Sequence, residues 1–250
     1  MLIFCRYILC IAIVLIFLSN TGFKKNNVMA DQLTGAWMFQ GDNEEHLLVF
    51  VDGYYTQTIY SKAGKKFIES RGGSYTINGS QVKIAYEFDT RNKEQTGQLL
   101  SCDFSLKDDL LTIDANNKKG AYKRIDNGSA PLTGLWQITG RMHEGKIVPI
   151  HHTGTRKTIK ILSGRRFQWA AIDPGNKQFS GTGGGTYEFA NGKYIEHIEF
   201  FSRDSSRVGA SLSFDGKLEN GEWHHSGMSS RGEKIYEIWS RIKQERQAKL

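Results

Sequence analysis

A disulfide-stabilised fold is the first thing this sequence excludes. Of its 3 cysteines, Cys5 and Cys10 sit in an N-terminal apolar segment and Cys102 stands alone beyond it. One thiol makes no internal disulfide, so stability must rest on apolar burial. Cys102 lies in the alternating segment LLSCDFSL and reads as core filler. Helical periodicity is lacking too. After residue 30 no long stretch repeats apolar side chains at helical spacing, which argues against a helical bundle. Proline is scarce, at 3 of 250 residues, and glycine is abundant, at 27. The 10 Tyr, 14 Phe and 5 Trp suit a strand-rich chain.

Catalytic and metal signatures are missing as well. There is no G-x-S-x-G nucleophile turn, no H-E-x-x-H and no C-x-x-C. GTGGG at 181–185 lacks the Lys-Ser/Thr of a phosphate loop and leads into a strand. It reads as a tight turn or a bulge where backbones approach closely. His151-His152 and His224-His225 are adjacent pairs, and neighbours on a strand point to opposite faces. His197 and Glu199 share a face in YIEHIEF, but a zinc site needs three or four convergent ligands. Glu196 and Glu199 fall on opposite faces and cannot serve one bond. The expectation is a protein with no metal, no cofactor and no enzymatic activity. No DNA- or RNA-binding motif appears, so no nucleic-acid partner is expected.

The N-terminus carries one early Arg6 and an apolar run from Tyr7 to Leu18. That run is short of the ~20 residues that span a bilayer. It fits a secretory signal over 1–30, with VMA at 28–30 as the cleavage site before Asp31. The alternative is an uncleaved membrane anchor through residues 7–18. A cleaved chain has no stable membrane span and is exported, to the periplasm or outside the cell. Residues 1–30 hold three basic and no acidic side chains, so the formal charge falls from +7 to +4 on cleavage. Residues 31–130 carry 12 basic and 14 acidic groups, and residues 131–250 carry 18 and 12. The second half is therefore basic by 6 charges and can attract anions.

What the chain does contain is a repeat. LTGAW at 33–37 returns as LTGLW at 132–136. GGSYTINGSQVKIAYEF at 72–88 aligns with GGTYEFANGKYIEHIEF at 184–200. CDFSLKDDLLTI at 102–113 aligns with LSFDGKLENGEW at 212–223, and AYKRI at 121–125 with IWSRI at 238–242. The order is kept throughout, as in a tandem duplication. DNGSAP at 126–131 is the turn-rich link. The domains expected are 31–126 and 131–242, followed by a basic tail at 243–250. Asn78-Gly79, Asn191-Gly192 and Asp215-Gly216 read as hairpin turns between alternating runs. Expected strands are 47–51, 54–60, 73–77, 81–88, 98–105 and 109–113, then 185–189, 194–201, 208–214 and 222–226. Roughly eight short strands per repeat can close as an up-and-down barrel, which removes exposed edges.

Gly-x-Trp near the start of each repeat, with a basic residue on its last strand, resembles the lipocalin-like, or calycin, superfamily. The matching residues are Gly35 and Trp37 with Arg124, and Gly134 and Trp136 with Arg241. The resemblance implies an all-β fold of two tandem antiparallel barrels, each closed at one end by a Trp with the Arg across its ring. The second half is similar to exported bacterial lipocalin-like proteins of uncharacterised function, through RFQWAAIDPGNKQFSGTGGGTY, EHIEFFSRDSSRVGASLSFDG and EWHHSGMSSRGEKIYEIWS.

Alternation places Phe167, Trp169 and Ala171 on one face, Tyr187 with Phe189, and Trp223 with His225. If Arg241 faces inward beneath Trp136, so do Glu237 and Trp239. Such an interior makes either a small-ligand cavity or a solid core with a hydrogen-bonded network. The functional expectation is a non-enzymatic, exported binding protein for a small apolar or amphipathic ligand. That ligand is expected in the second barrel, at the end opposite the plug. Trp169, Tyr187 and Trp223 would supply burial, and His197, Glu199, His225 and Glu237 orientation. The alternative is a structural or protein-interaction module with filled barrels.

Overall fold

A computed structural model describes residues 29–115, 118–229 and 231–242. Most of the expected leader, including the apolar run at 7–18, and the tail at 243–250 lie outside these residues. No helix among the described residues is long and apolar enough to cross a membrane. Seventeen strands account for most of the rest. The first barrel contains β1 (Gly35–Gln40), β2 (Glu45–Val51), β3 (Tyr54–Ser61), β4 (Lys66–Asn78), β5 (Gln81–Asp89), β6 (Leu99–Lys107), β7 (Leu110–Ala115) and β8 (Lys118–Asp126). Each pairs antiparallel with the next, and β8 closes on β1 with Trp37 opposite Arg124. The second barrel repeats this with β9 (Gly134–His143), β11 (Lys157–Leu162), β12 (Arg166–Asp173), β13 (Gln178–Ala190), β14 (Lys193–Phe201), β15 (Ser211–Glu219), β16 (Glu222–Met228) and β17 (Lys234–Arg241). Its one addition is β10 (Lys146–Pro149), which hairpins onto the far end of β9. The expected all-β class, two closed eight-stranded antiparallel barrels in tandem, is what forms.

The strands follow from alternation. In β5, Val82, Ile84 and Tyr86 turn inward between outward Gln81, Lys83 and Ala85. β5 and β14 bulge at matching positions, Glu87 and Glu199, opposite Gly72-Gly73 of β4 and Gly184-Gly185 of β13. A Cβ at Gly185 would lie 2.0 Å from the His197 carbonyl oxygen, so only glycine permits the approach. Two local expectations need correction. Asp215-Gly216 is no turn: both residues lie inside β15, and the hairpin turns at Asn220-Gly221 with φ of 53° and 81°. Gly216 instead makes room for a ring, since a Cβ there would come 2.8 Å from Phe189 Cε2. The strand placed at 208–214 starts at Ser211, because residues 205–207 form a 3-10 turn capped by the Asp204 carboxylate. The repeat alignment also slips by two residues here. Cys102 pairs with Val82 as Phe214 pairs with Tyr194, so Cys102 corresponds to Phe214.

Both barrels end in the same plug. Trp37 Nε1 donates to the Leu33 carbonyl at 2.9 Å, and Trp136 Nε1 to that of Leu132 at 2.8 Å. Arg124 lies 3.9 Å over the Trp37 ring and Arg241 5.0 Å over that of Trp136. Gly35 is required at this end, because a Cβ would sit 2.3 Å from the Asp126 carbonyl oxygen.

The barrels pack side to side through a third core. Leu47, Val49 and Tyr60 of the first meet Leu135, Ile159, Ile161 and Phe200 of the second. This contact has an approximate twofold: Phe88 stacks on Phe179, and their counterparts Phe200 and Phe67 also face one another. At its centre Gln168 bonds Thr58, Ser70 and Thr182 at 2.9–3.1 Å, all four side chains being buried. Buried polar groups are tolerated there because each has partners.

Candidate functional site

The ends opposite the plugs differ between the repeats. In the first barrel, Arg71 points inward and donates Nε to Gln57 Oε1 at 2.7 Å. Gln57 also meets the hydroxyls of Tyr55 and Tyr122, each at 3.3 Å. These side chains form a crossbar through the barrel. Pairing fixes the counterparts: Gln57 lies opposite Arg71 as Trp169 lies opposite Gly183. The second barrel thus has a glycine where the first has the arginine. Trp169 leans into that space, and a Cβ at Gly183 would lie 2.7 Å from its Nε1 and 2.9 Å from the Phe201 ring. The two rings meet edge to face at 5.4 Å.

Above them opens a concavity of about 450 Å³. Thr158, Trp169, Ala171 and Phe201 form its floor and wall, and Arg203, Asp204, Arg207 and Arg231 its rim. Volumes of this order hold small ligands. Thr158 and Ala171 lie at the end of β11 and β12 away from Leu162 and the plug.

Below the floor the interior is filled. Lys160, two residues along β11 from Thr158, is buried and pairs with Glu196 at 2.9 Å. Its ammonium lies 4.9–5.2 Å from the centres of Tyr194, Trp223 and Trp239. His225 Nδ1 is 3.3 Å from Glu237 Oε2, and Trp239 Nε1 donates to the same oxygen at 3.1 Å. Burial drives the His225 imidazole below its ordinary value, and the Lys160 charge adds to this. Burial opposes ionisation of Glu237, but its bond from His225 and the charge of Lys160 still hold the carboxyl below the usual range. His225 is therefore neutral near pH 7, with its proton on Nδ1 toward Glu237. Nε2 then remains a buried acceptor without a partner among the described residues. Where the second barrel has Lys160, Glu196, His225 and Glu237, register places Leu48, Ile84, Ile113 and Gly120 in the first.

Of the residues expected to hold a ligand, Trp169 alone lines the concavity. Tyr187, Trp223, His225 and Glu237 do face inward, but they sit in the packed layers beneath it. Tyr187 is tied down by its hydroxyl, which donates to the Ser163 carbonyl at 2.7 Å. His197 and Glu199 do not face inward. His197 points outward beside Ser211 and Glu188. Glu199 faces the first barrel and binds Tyr60 at 2.9 Å, Lys62 at 2.8 Å and Arg166. The bulge beside Gly185 turns Phe201, not Glu199, into the barrel. Sequence reasoning missed Lys160, Gly183, Phe201 and the rim arginines. Comparing Arg71 with Gly183 across the aligned repeats would have shown the opening. Among the described residues, no group of three or more His, Cys, Asp or Glu side chains could hold a metal ion.

No family model matches the chain, and no curated protein matches it. Among solved structures, the β subunit of DNA polymerase III from Thermotoga maritima is similar over 86% of this chain and 78% of its own, at 8% identity and a TM-score of 0.14, an overlap too slight to argue from.

Proposed function

We propose that this is an exported, non-enzymatic binding protein of the lipocalin-like kind, which holds a small, partly apolar ligand in the mouth of its second barrel. The observation that carries this reading is the contrast between the two mouths. One is crossed by Arg71 and Gln57; the other has Gly183 at the matching position and opens above Trp169 and Phe201. Aromatic floor and polar rim are the composition a small-ligand site needs. The plugs at the opposite ends and the expected leader support the kind and the location.

Titration of the full chain with dodecanol and dodecanoate, followed by tryptophan emission, tests it. Saturable binding that Trp169→Leu abolishes is the expected result. Unchanged binding in that variant moves the site elsewhere. A second reading, an interaction module, draws on β10, where Ile147 and Val148 are exposed on a strand paired along one edge to β9. It gains if no small molecule binds.

A further inference from the structure

The rim of the second mouth has lost a counter-charge that the first retains. Ile59 lies opposite Glu69 in the first barrel as Ala171 lies opposite Gly181 in the second. Arg91, two residues past β5, is the counterpart of Arg203, two residues past β14. In the first barrel Arg91 donates to Glu69 at 3.1 Å. In the second, glycine stands where that glutamate would be, and Arg203 folds over it. Its Nε donates to the Ser180 carbonyl at 2.5 Å, and a Cβ at Gly181 would lie 2.6 Å from that nitrogen. Among the described residues no carboxylate pairs with Arg203 or with Arg231 across the rim. Asp204, the one acid of the rim, is taken up by Arg207 at 3.0 Å and by the Ser206 amide and hydroxyl. Three arginines and one aspartate thus border a floor of Trp169, Ala171 and Phe201.

Resting on the binding reading above, we propose that the ligand is an amphipathic anion. A carboxylate or phosphate would sit between Arg203 and Arg231, with an acyl chain or ring against Trp169 and Phe201. Arginine suits this role because its guanidinium offers paired donors that match the geometry of both groups. The first barrel cannot share the site. Its arginine is paired with Glu69, and its floor is occupied by the Arg71–Gln57 crossbar.

Four probes of similar length separate the terms: dodecanoate, dodecyl phosphate, dodecanol and dodecylammonium, each titrated against the full chain at low and high salt. The two anions should bind about ten-fold tighter than dodecanol, the scale of one or two partly exposed charge contacts. Dodecylammonium should bind more weakly than dodecanol. Salt should erode the anion preference. In the double variant Arg203→Ala, Arg231→Ala the anions and dodecanol should bind with the same affinity, the anion preference and its salt dependence being gone. Both side chains are exposed, so folding is not at stake. Equal binding of dodecanol and dodecanoate, or an anion preference that survives the double variant, overturns this inference and leaves the binding reading intact. Binding of none of the four sinks both. Adsorption to vesicles containing phosphatidylglycerol, without binding of monomeric dodecanoate, would reassign the arginines to a lipid surface and overturn the proposal of a free ligand.

Discussion

At the scale of single residues, buried charge sets the response to acid. Glu199 is surrounded by Arg166, Lys62 and Tyr60; burial opposes its ionisation, yet these partners hold it below the usual 4.5. Glu237 is depressed likewise, and His225 lies below 6.5. In all three the folded value is below the unfolded one, so the unfolded chain binds more protons as pH falls. Their contribution is fully present above pH 6.5. It declines first through His225 and then, below pH 4.5, through the two glutamates. Melting temperature should accordingly hold steady from pH 6.5 to about 9, below the range where the buried tyrosines begin to ionise on unfolding, and drop below pH 6.5 in two stages. His225→Gln should remove the first stage and keep the second. A first stage unchanged in that variant would discharge His225 from this role.

At the scale of elements, the plug and the mouth make separate demands. Trp136→Ala removes a buried ring from beneath Arg241 and should destabilise the second barrel by about 3–5 kcal/mol. Denaturant melts read this directly, and a loss under about 1 kcal/mol would remove the plug from the account. Gly183→Ala forces a Cβ against Trp169 and Phe201. It should cost about 1–3 kcal/mol by overpacking and weaken ligand binding as the rings shift. Strands and plugs were legible in the sequence because alternation and the repeated Gly-x-Trp report them locally. Asp215-Gly216 was misread because a glycine under a ring looks the same as a glycine in a turn. His197 and Glu199 were misread because strand alternation alone does not say which face turns inward. Inward Tyr187 pairs with Glu196, so Glu196 points in and His197 out, and only Phe201, beyond the bulge, owes its direction to it. Arg203 went unnoticed because its significance lies in the glutamate missing from another strand.

At the scale of the whole molecule, the second barrel is not an independent unit. Leu135, Ile159, Ile161, Ala170 and Phe200 are covered by the first barrel. Residues 131–250 expressed alone would expose that face, together with Gln168, whose partners Thr58 and Ser70 would be gone. Exposed patches of this kind drive association. The fragment should therefore dimerise or aggregate in sedimentation experiments, and the full chain should remain monodisperse and melt in one cooperative transition. A well-behaved monomeric fragment would show the inter-barrel core to be dispensable. On the proposed binding reading, the first barrel would serve as a closed partner that covers the back of an open one.

The most direct test is to see the ligand in place. Crystals of the full chain grown with 12-bromododecanoate would locate the bromine by anomalous scattering. We expect the carboxylate between Arg203 and Arg231 and the bromine end against Trp169 and Phe201, with the first barrel unoccupied. Bromine inside the first barrel, or at the contact between the barrels beside the stacked Phe88 and Phe179, would contradict the account.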